Sequence, residues 1–214
     1  MTKADDANLL GYDAVAEAYA ERFLRELDGK PFDQALLRAF ADLVRGRGKV
    51  VDIGCGPGHV GAFLRERGLD VEGVDGSGEM VRVARRCFPA MTFVEADFRA
   101  LPYADSSLAG LSAAYAIVHF TVPELAPVFA EAQRVLAPGG VALFSFHVGD
   151  EPVAVDELLG KRVSMTFRFL PVAGVRAGLE EAGLEVFAAL ERKGDAAVEH
   201  ASLRAYLFAR KPTA

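Results

Sequence analysis

Val50-Val51-Asp52-Ile53-Gly54-Cys55-Gly56-Pro57-Gly58 decides how the rest of this chain is read. A short apolar run broken by one acid reads as a strand, and the glycine-dense turn after it opens a helix at Val60. Glycine is required where backbone turns sharply or must approach a ligand closely. The exposed N–H groups of such a turn, and of the helix start behind it, then face that ligand. The stretch places a nucleotide-like ligand at the switch point of a doubly wound sheet.

The flanking sequence repeats the strand-helix alternation. Downstream, strands are expected at Val71–Val74, Met91–Val94, Leu108–Ala114 and Val141–Phe146. Helices fall between them at Val60–Arg67, at Glu79–Cys87 before Pro89, and at Pro123–Leu136 before Pro138-Gly139-Gly140. Upstream, Val15, Tyr19, Phe23 and Leu27 recur every fourth position, one stripe of a helix over Tyr12–Leu27. Pro31 opens a second helix with Leu36, Leu37, Phe40, Leu43 and Val44 on its buried face, closed by Gly46 and Gly48. Gly149–Leu170 lacks clean periodicity and reads as an insertion. A helix over Pro171–Ala182 precedes two strands, Leu184–Leu190 and Leu203–Arg210, paired as a hairpin with a long link. The fold class is α/β, a mostly parallel Rossmann-like sheet with helices on both faces. One domain is expected, divided into N-terminal helices (1–46), a ligand-binding core (49–147), an insertion (148–170) and a C-terminal helix with a strand hairpin (171–214).

Composition narrows the function. The chain has 214 residues, 51 % apolar and 25 % charged, the makeup of a core-forming domain. Its formal net charge of −6 repels phosphate backbones and argues against nucleic acid or an anionic membrane as partner. No apolar run is long enough to span a bilayer. The polar start, Met1 to Asn8, reads as neither signal nor transit peptide, and two cysteines, Cys55 and Cys87, make no disulfide framework. A cytoplasmic monomer or homodimer, without a metal site, is the expectation.

Three acids follow three successive strands. Gly56-Pro57-Gly58-His59-Val60-Gly61 also fits the dinucleotide fingerprint, but Asp52 in the strand would repel a pyrophosphate. The same carboxylate suits a ligand carrying an ammonium or sulfonium charge. Asp75, 21 positions after Gly54, sits where a carboxylate accepts ribose hydroxyls in either reading. Asp97 ends the next strand, placed to accept an adenine amine, with Phe98 or Met80 over the ring.

These segments resemble the class I S-adenosylmethionine-dependent methyltransferases of the small-molecule type. The resemblance rests on residues 50–58, on Gly-Val-Asp-Gly-Ser-Gly-Glu-Met (73–80), and on Glu-Ala-Asp-Phe (95–98). Ala-Ile-Val-His-Phe (116–120), Arg-Val-Leu-Ala-Pro-Gly-Gly (134–140) and the opening Tyr-Asp-Ala-Val-Ala-Glu-Ala-Tyr (12–19) extend it over nearly the whole chain. It implies a seven-stranded sheet whose last strand, Leu203–Arg210, is antiparallel. It further implies S-adenosyl-L-methionine as cofactor, S-adenosyl-L-homocysteine as product, and a small-molecule acceptor. Asp52, Gly54, Cys55, Gly56 and Gly58 are then assigned to the methionine part, Asp75, Gly76 and Met80 to ribose and ring. Asp97 and Phe98 fall at adenine, and Tyr115 after the fourth strand. Where many members carry Phe-Asp before that strand, this chain has Leu108 and Ala109-Gly110.

Methyl transfer from a sulfonium is a direct displacement, so the acceptor chiefly needs alignment, with a base where it must lose a proton. His119 after the fourth strand is the candidate base or orienter, and His147 at the end of the fifth is the second. Tyr12 and Tyr19, two turns apart, are expected to close over the acceptor, with Arg168 anchoring an anionic group beside Met165, Phe167, Phe169 and Leu170. Two other readings stay open: a nicotinamide-linked oxidoreductase, and a module that binds S-adenosylmethionine without catalysis.

Overall fold

In the computed structural model, which describes residues 3–213, two helices precede the alternating segment: α1 (Lys3–Phe23) and α2 (Pro31–Val44). The short apolar runs become β1 (Lys49–Ile53), β2 (Asp70–Asp75), β3 (Thr92–Glu95), β4 (Leu108–Ala114) and β5 (Leu136–Val148). Helices α3 (His59–Arg65), α4 (Gly78–Cys87) and α5 (Ala126–Val135) lie between them. After β5 come a hairpin, β6 (Pro152–Leu158) and β7 (Lys161–Arg168), then α6 (Val172–Glu181), β8 (Glu185–Lys193) and β9 (Leu203–Arg210).

The main sheet runs β3-β2-β1-β4-β5-β9-β8. β1 to β5 pair in parallel, and β9 is antiparallel to both its neighbours. The all-parallel dinucleotide order, 3-2-1-4-5-6, has no such reversed strand. One face of the sheet buries Ile53, Leu111 and Phe144 against Phe129 of α5 and Leu179 of α6. The other buries Val50, Leu143 and Phe208 against Leu37, Phe40 and Val44 of α2. Each such side chain stabilises the fold by roughly 1.5–3 kcal/mol relative to exposure. Leu43, expected on the buried face of α2, is instead 39 % exposed.

Several boundaries differ from the sequence reading. α1 starts at Lys3, well before Tyr12, and stops at Phe23; Leu27 lies in a separate 3-10 turn, Glu26–Gly29. In α1, Val15, Ala16 and Ala20 are buried and pack on Met80 and Val83 of α4. β5 begins already at Leu136, which pairs with Leu108 ahead of a register shift. The helix expected over Pro123–Leu136 is a 3-10 turn followed by α5.

Within 149–170 the chain forms an antiparallel hairpin, with one register shift between Val155 and Glu157, rather than irregular chain. No residue of β6 is buried, so the alternation that marks a half-buried strand never develops. β7 seats the hairpin on α1. Met165 is buried against Gly11, where an added Cβ would lie 2.5 Å from the methionine side chain. The Thr166 N–H donates to Asn8 Oδ1 at 3.0 Å.

Candidate active site

The turn after β1 is left-handed at Gly54 (φ 63°), Gly56 (φ 51°) and Gly58 (φ 90°), a conformation other residues adopt only at a cost. A Cβ on Gly54 would stand 2.4 Å from Ala116 Cβ, so only a glycine passes there. Above Gly56 nothing comes nearer to such an atom than Tyr19, at 3.9 Å. The loop is braced from behind by two of the acids. The Gly56 N–H donates to Asp75 Oδ2 at 2.8 Å, and the Ser77 N–H to Oδ1 at 2.9 Å. Asp52 accepts from Ser112 Oγ at 2.6 Å and from the Gly61 N–H at 3.1 Å. Burial pushes both carboxyls up to about 6.

A cavity of about 450 Å³ opens on this loop. Asp52, Gly54, Cys55 and Gly56 form its floor, and Tyr12, Tyr19, Arg22 and Phe23 of α1 one wall. Tyr115, Val118, His147 and Phe167 face them, and Ala196 to His200, in the link between β8 and β9, close the far side with Arg204. The insertion therefore contributes Phe167, while most of the wall opposite the loop comes from the β8–β9 link. Burial pushes the Cys55 thiol up, and its place is that of a small filler in the turn.

The cavity does not extend to Asp75, Gly76, Met80, Asp97 or Phe98. Leu9 of α1 lies over Gly76, with Cδ2 2.9 Å from where a Cβ would stand, and Phe98 Cζ lies 3.4 Å from the equivalent point on Gly54. Met80 packs under α1, and Asp97 forms a paired contact with Arg99, both carboxylate oxygens engaged.

His119 sits behind Tyr12. Its Nδ1 lies 2.8 Å from the Thr166 carbonyl, an oxygen that only accepts, so Nδ1 carries the proton. Nε2 consequently accepts from the Tyr12 hydroxyl at 2.8 Å. Burial lowers the imidazole pKa, which keeps the ring neutral at pH 7. Tyr12, not His119, lines the cavity.

His147 meets the cavity directly. Its Nδ1 is 2.8 Å from Ser202 Oγ, and its ring packs 5.0 Å from Tyr115 and 5.4 Å from Phe169. Burial, then the charges of Arg204, His200 and Lys30, lower its pKa to about 4. Tyr115 is a non-glycine residue in the left-handed region (φ 55°), the kind of backbone strain that gathers at functional sites. Lys30 and Arg204 both lie over its ring, at 5.9 and 5.1 Å.

Behind the far wall lies a network of buried charge. Arg192 donates to Glu199 at 2.6 and 2.8 Å and to Asp33 at 2.5 Å, while the Tyr206 hydroxyl reaches Asp33 at 3.1 Å. Lys30 pairs with Glu26, which also holds His59 Nε2 at 2.8 Å. Sequence reasoning missed Lys30, Glu199 and Arg204. Arg168, expected as the anion anchor, is partly buried and lies outside the lining of the cavity. Arg22, on the rim, forms no ion pair among the described residues.

Residues 50–140 match the family described as "Methyltransferase domain". A trans-aconitate 2-methyltransferase from Azoarcus sp. (strain BH72) is 43 % identical over 94 residues, covering 43 % of this chain and 36 % of the relative. The chain thus spans little more than a third of that relative's length. A solved S-adenosylmethionine-dependent methyltransferase from Methanosarcina mazei superposes with a TM-score of 0.70 at 16 % identity, over 78 % of this chain and 93 % of the other. The [4+2]-cyclase SpnF superposes at 0.69 and 21 % identity over 96 % of both. Residues 50–140 are thus similar to a methyltransferase domain, and the fold is the Rossmann-like fold of these solved structures.

Proposed function

We propose that this protein transfers a methyl group from S-adenosylmethionine to a small-molecule acceptor held in the 450 Å³ cavity. One observation carries the reading: a single cavity joins the glycine loop and Asp52 to Tyr12 and His147. When bound, the cofactor supplies an electrophilic methyl on a sulfonium. An acceptor lone pair held beside that methyl would take it by direct displacement, leaving the electron pair on sulfur.

The residues fit that group. Asp52 offers a carboxylate to its positive charge, Arg22 a guanidinium to the carboxylate of the methionine tail, and Gly54 and Gly56 the close backbone approach. Asp75, Asp97 and Phe98 remain the assigned contacts for adenosine, beyond the edge of the cavity. The cavity size suits a metabolite, and the relative named for trans-aconitate acts on one.

The acceptor is oriented by Tyr12, with His119 behind it. An acceptor O–H or N–H donates to the Tyr12 oxygen, and its proton moves there as the Tyr12 proton passes to His119 Nε2. His147 is the alternative acceptor of that proton.

Calorimetry with S-adenosylhomocysteine, followed by transfer of labelled methyl to an acceptor library, tests the proposal. Binding with turnover on at least one small compound is expected. Binding without turnover on any compound would leave a fold of this class serving other chemistry, as the cyclase does.

A further inference from the structure

Arg204 is a buried cation with no part in the methyl transfer. It is 3 % exposed and lines the cavity at the start of β9. Its natural partner, Glu199, is engaged on both oxygens by Arg192. Arg204 Nε stays 3.6 Å from that carboxylate and is buried with no hydrogen-bond partner. Nη2 reaches the His200 carbonyl at 3.3 Å, and the guanidinium lies against Tyr115. A buried guanidinium with an unmet donor destabilises the fold unless something fills the place. The Tyr115 ring, 5.1 Å from the guanidinium, and Phe167 elsewhere in the lining suit an apolar body.

We propose that the acceptor is a small carboxylate with an apolar body, and that Arg204 receives its carboxylate at the β9 end of the cavity. The inference rests on the methyl-transfer reading and names the acceptor's chemical class. The donor's own carboxylate is not the anion meant. β9 lies three strands from β1, roughly 14 Å at the usual strand spacing, whereas the methionine tail belongs to the loop that follows β1. A planar guanidinium matches a carboxylate with two parallel hydrogen bonds. His147, directly opposite Arg204 across the β5–β9 pair, lies beside the bound group.

The test pairs benzoate, phenylacetate and glutarate with their uncharged amides, titrated by calorimetry into the full chain with and without S-adenosylhomocysteine. At least one acid is expected to bind tenfold or more tightly than its amide. Arg204→Gln should abolish that preference and Arg204→Lys keep most of it, with S-adenosylhomocysteine affinity within threefold of wild type in both. Glu199→Gln, which removes the competing carboxylate, should tighten the acids at least threefold and leave the amides unchanged; this variant decides the matter if Arg204→Gln does not fold. The proposal falls if no acid is preferred, if Arg204→Gln keeps the preference, if that variant loses S-adenosylhomocysteine instead, or if Glu199→Gln leaves acid binding unchanged or weaker. Failure of the wild type to bind S-adenosylhomocysteine would remove the methyl-donor reading separately, since acid preference is also read in its absence.

Discussion

Tyr12 and His119 form one hydrogen-bonded unit: the phenol donates to Nε2 at 2.8 Å while Nδ1 is held by the Thr166 carbonyl. The helix that carries Tyr12 and the hairpin that carries Thr166 thereby fix both the tautomer and the tilt of the ring. Burial raises the Tyr12 pKa well above that of a free phenol, so the pair stays uncharged at neutral pH.

Tyr12→Phe and His119→Ala should each lower kcat by about 10²-fold, the low end of what a positioned acid-base group contributes. Because the two act through one bond, the double variant should lose little more than either single. Steady-state rates of the three proteins check this, and additive losses would separate the two residues. Nitrogen-15 shifts of His119 should report a proton on Nδ1.

Gly54→Ala places a methyl 2.4 Å from Ala116 Cβ on backbone at φ 63°. The backbone term alone costs about 1–2 kcal/mol, and the displaced loop should lose S-adenosylhomocysteine binding. Thermal melting together with calorimetry reads both effects; an unchanged affinity would detach the loop from the cofactor.

Asp75→Ala frees the Gly56 and Ser77 N–H groups as well as any ribose contact. Cofactor affinity should fall by about 1–3 kcal/mol. Asp97→Ala, whose carboxylate already engages Arg99, should cost less. Equal affinities across wild type and both variants would remove the adenosine assignment.

The His147 pKa is lowered to about 4, against 6.5 for a free imidazole. Between those values the unfolded chain binds more protons than the native one. Stability from this residue is therefore full above pH 6.5 and is lost as pH falls toward 4. The loss is on the order of 2–3 kcal/mol. Asp52 and Asp75, raised to about 6, act in the opposite sense: they favour the fold as pH drops from 6 toward 4. The comparison with His147→Gln isolates the imidazole. Urea unfolding at pH 7 and pH 4.5 should show a smaller acid loss in the variant, and parallel losses would contradict the burial of the ring.

Much of this architecture is legible in the sequence where burial and periodicity coincide. β1 and β4 appear with the bounds their apolar runs suggest, because both faces of a central strand are covered. The glycine loop is legible because only glycine takes its backbone. The first turns of α1 are hidden, since Lys3 to Asp6 carry no apolar stripe. The hairpin is hidden because β6 buries nothing. Arg204 and Glu199 are hidden for a different reason. A charged residue next to Leu203 reads as a solvated edge, and only the folded chain shows that Leu203 is exposed at 38 % while Arg204 is not. Arg192, from another strand, takes both Glu199 oxygens and leaves Arg204 without a hydrogen bond to them.

The link between β8 and β9 carries residues 194–202 away from the sheet and back, tied down through Glu199 and the Ser202–His147 contact. It shares no backbone with the donor loop after β1. If the cavity holds the acceptor as proposed, rewriting this one excursion should change which acceptor is taken and leave S-adenosylhomocysteine affinity as it is.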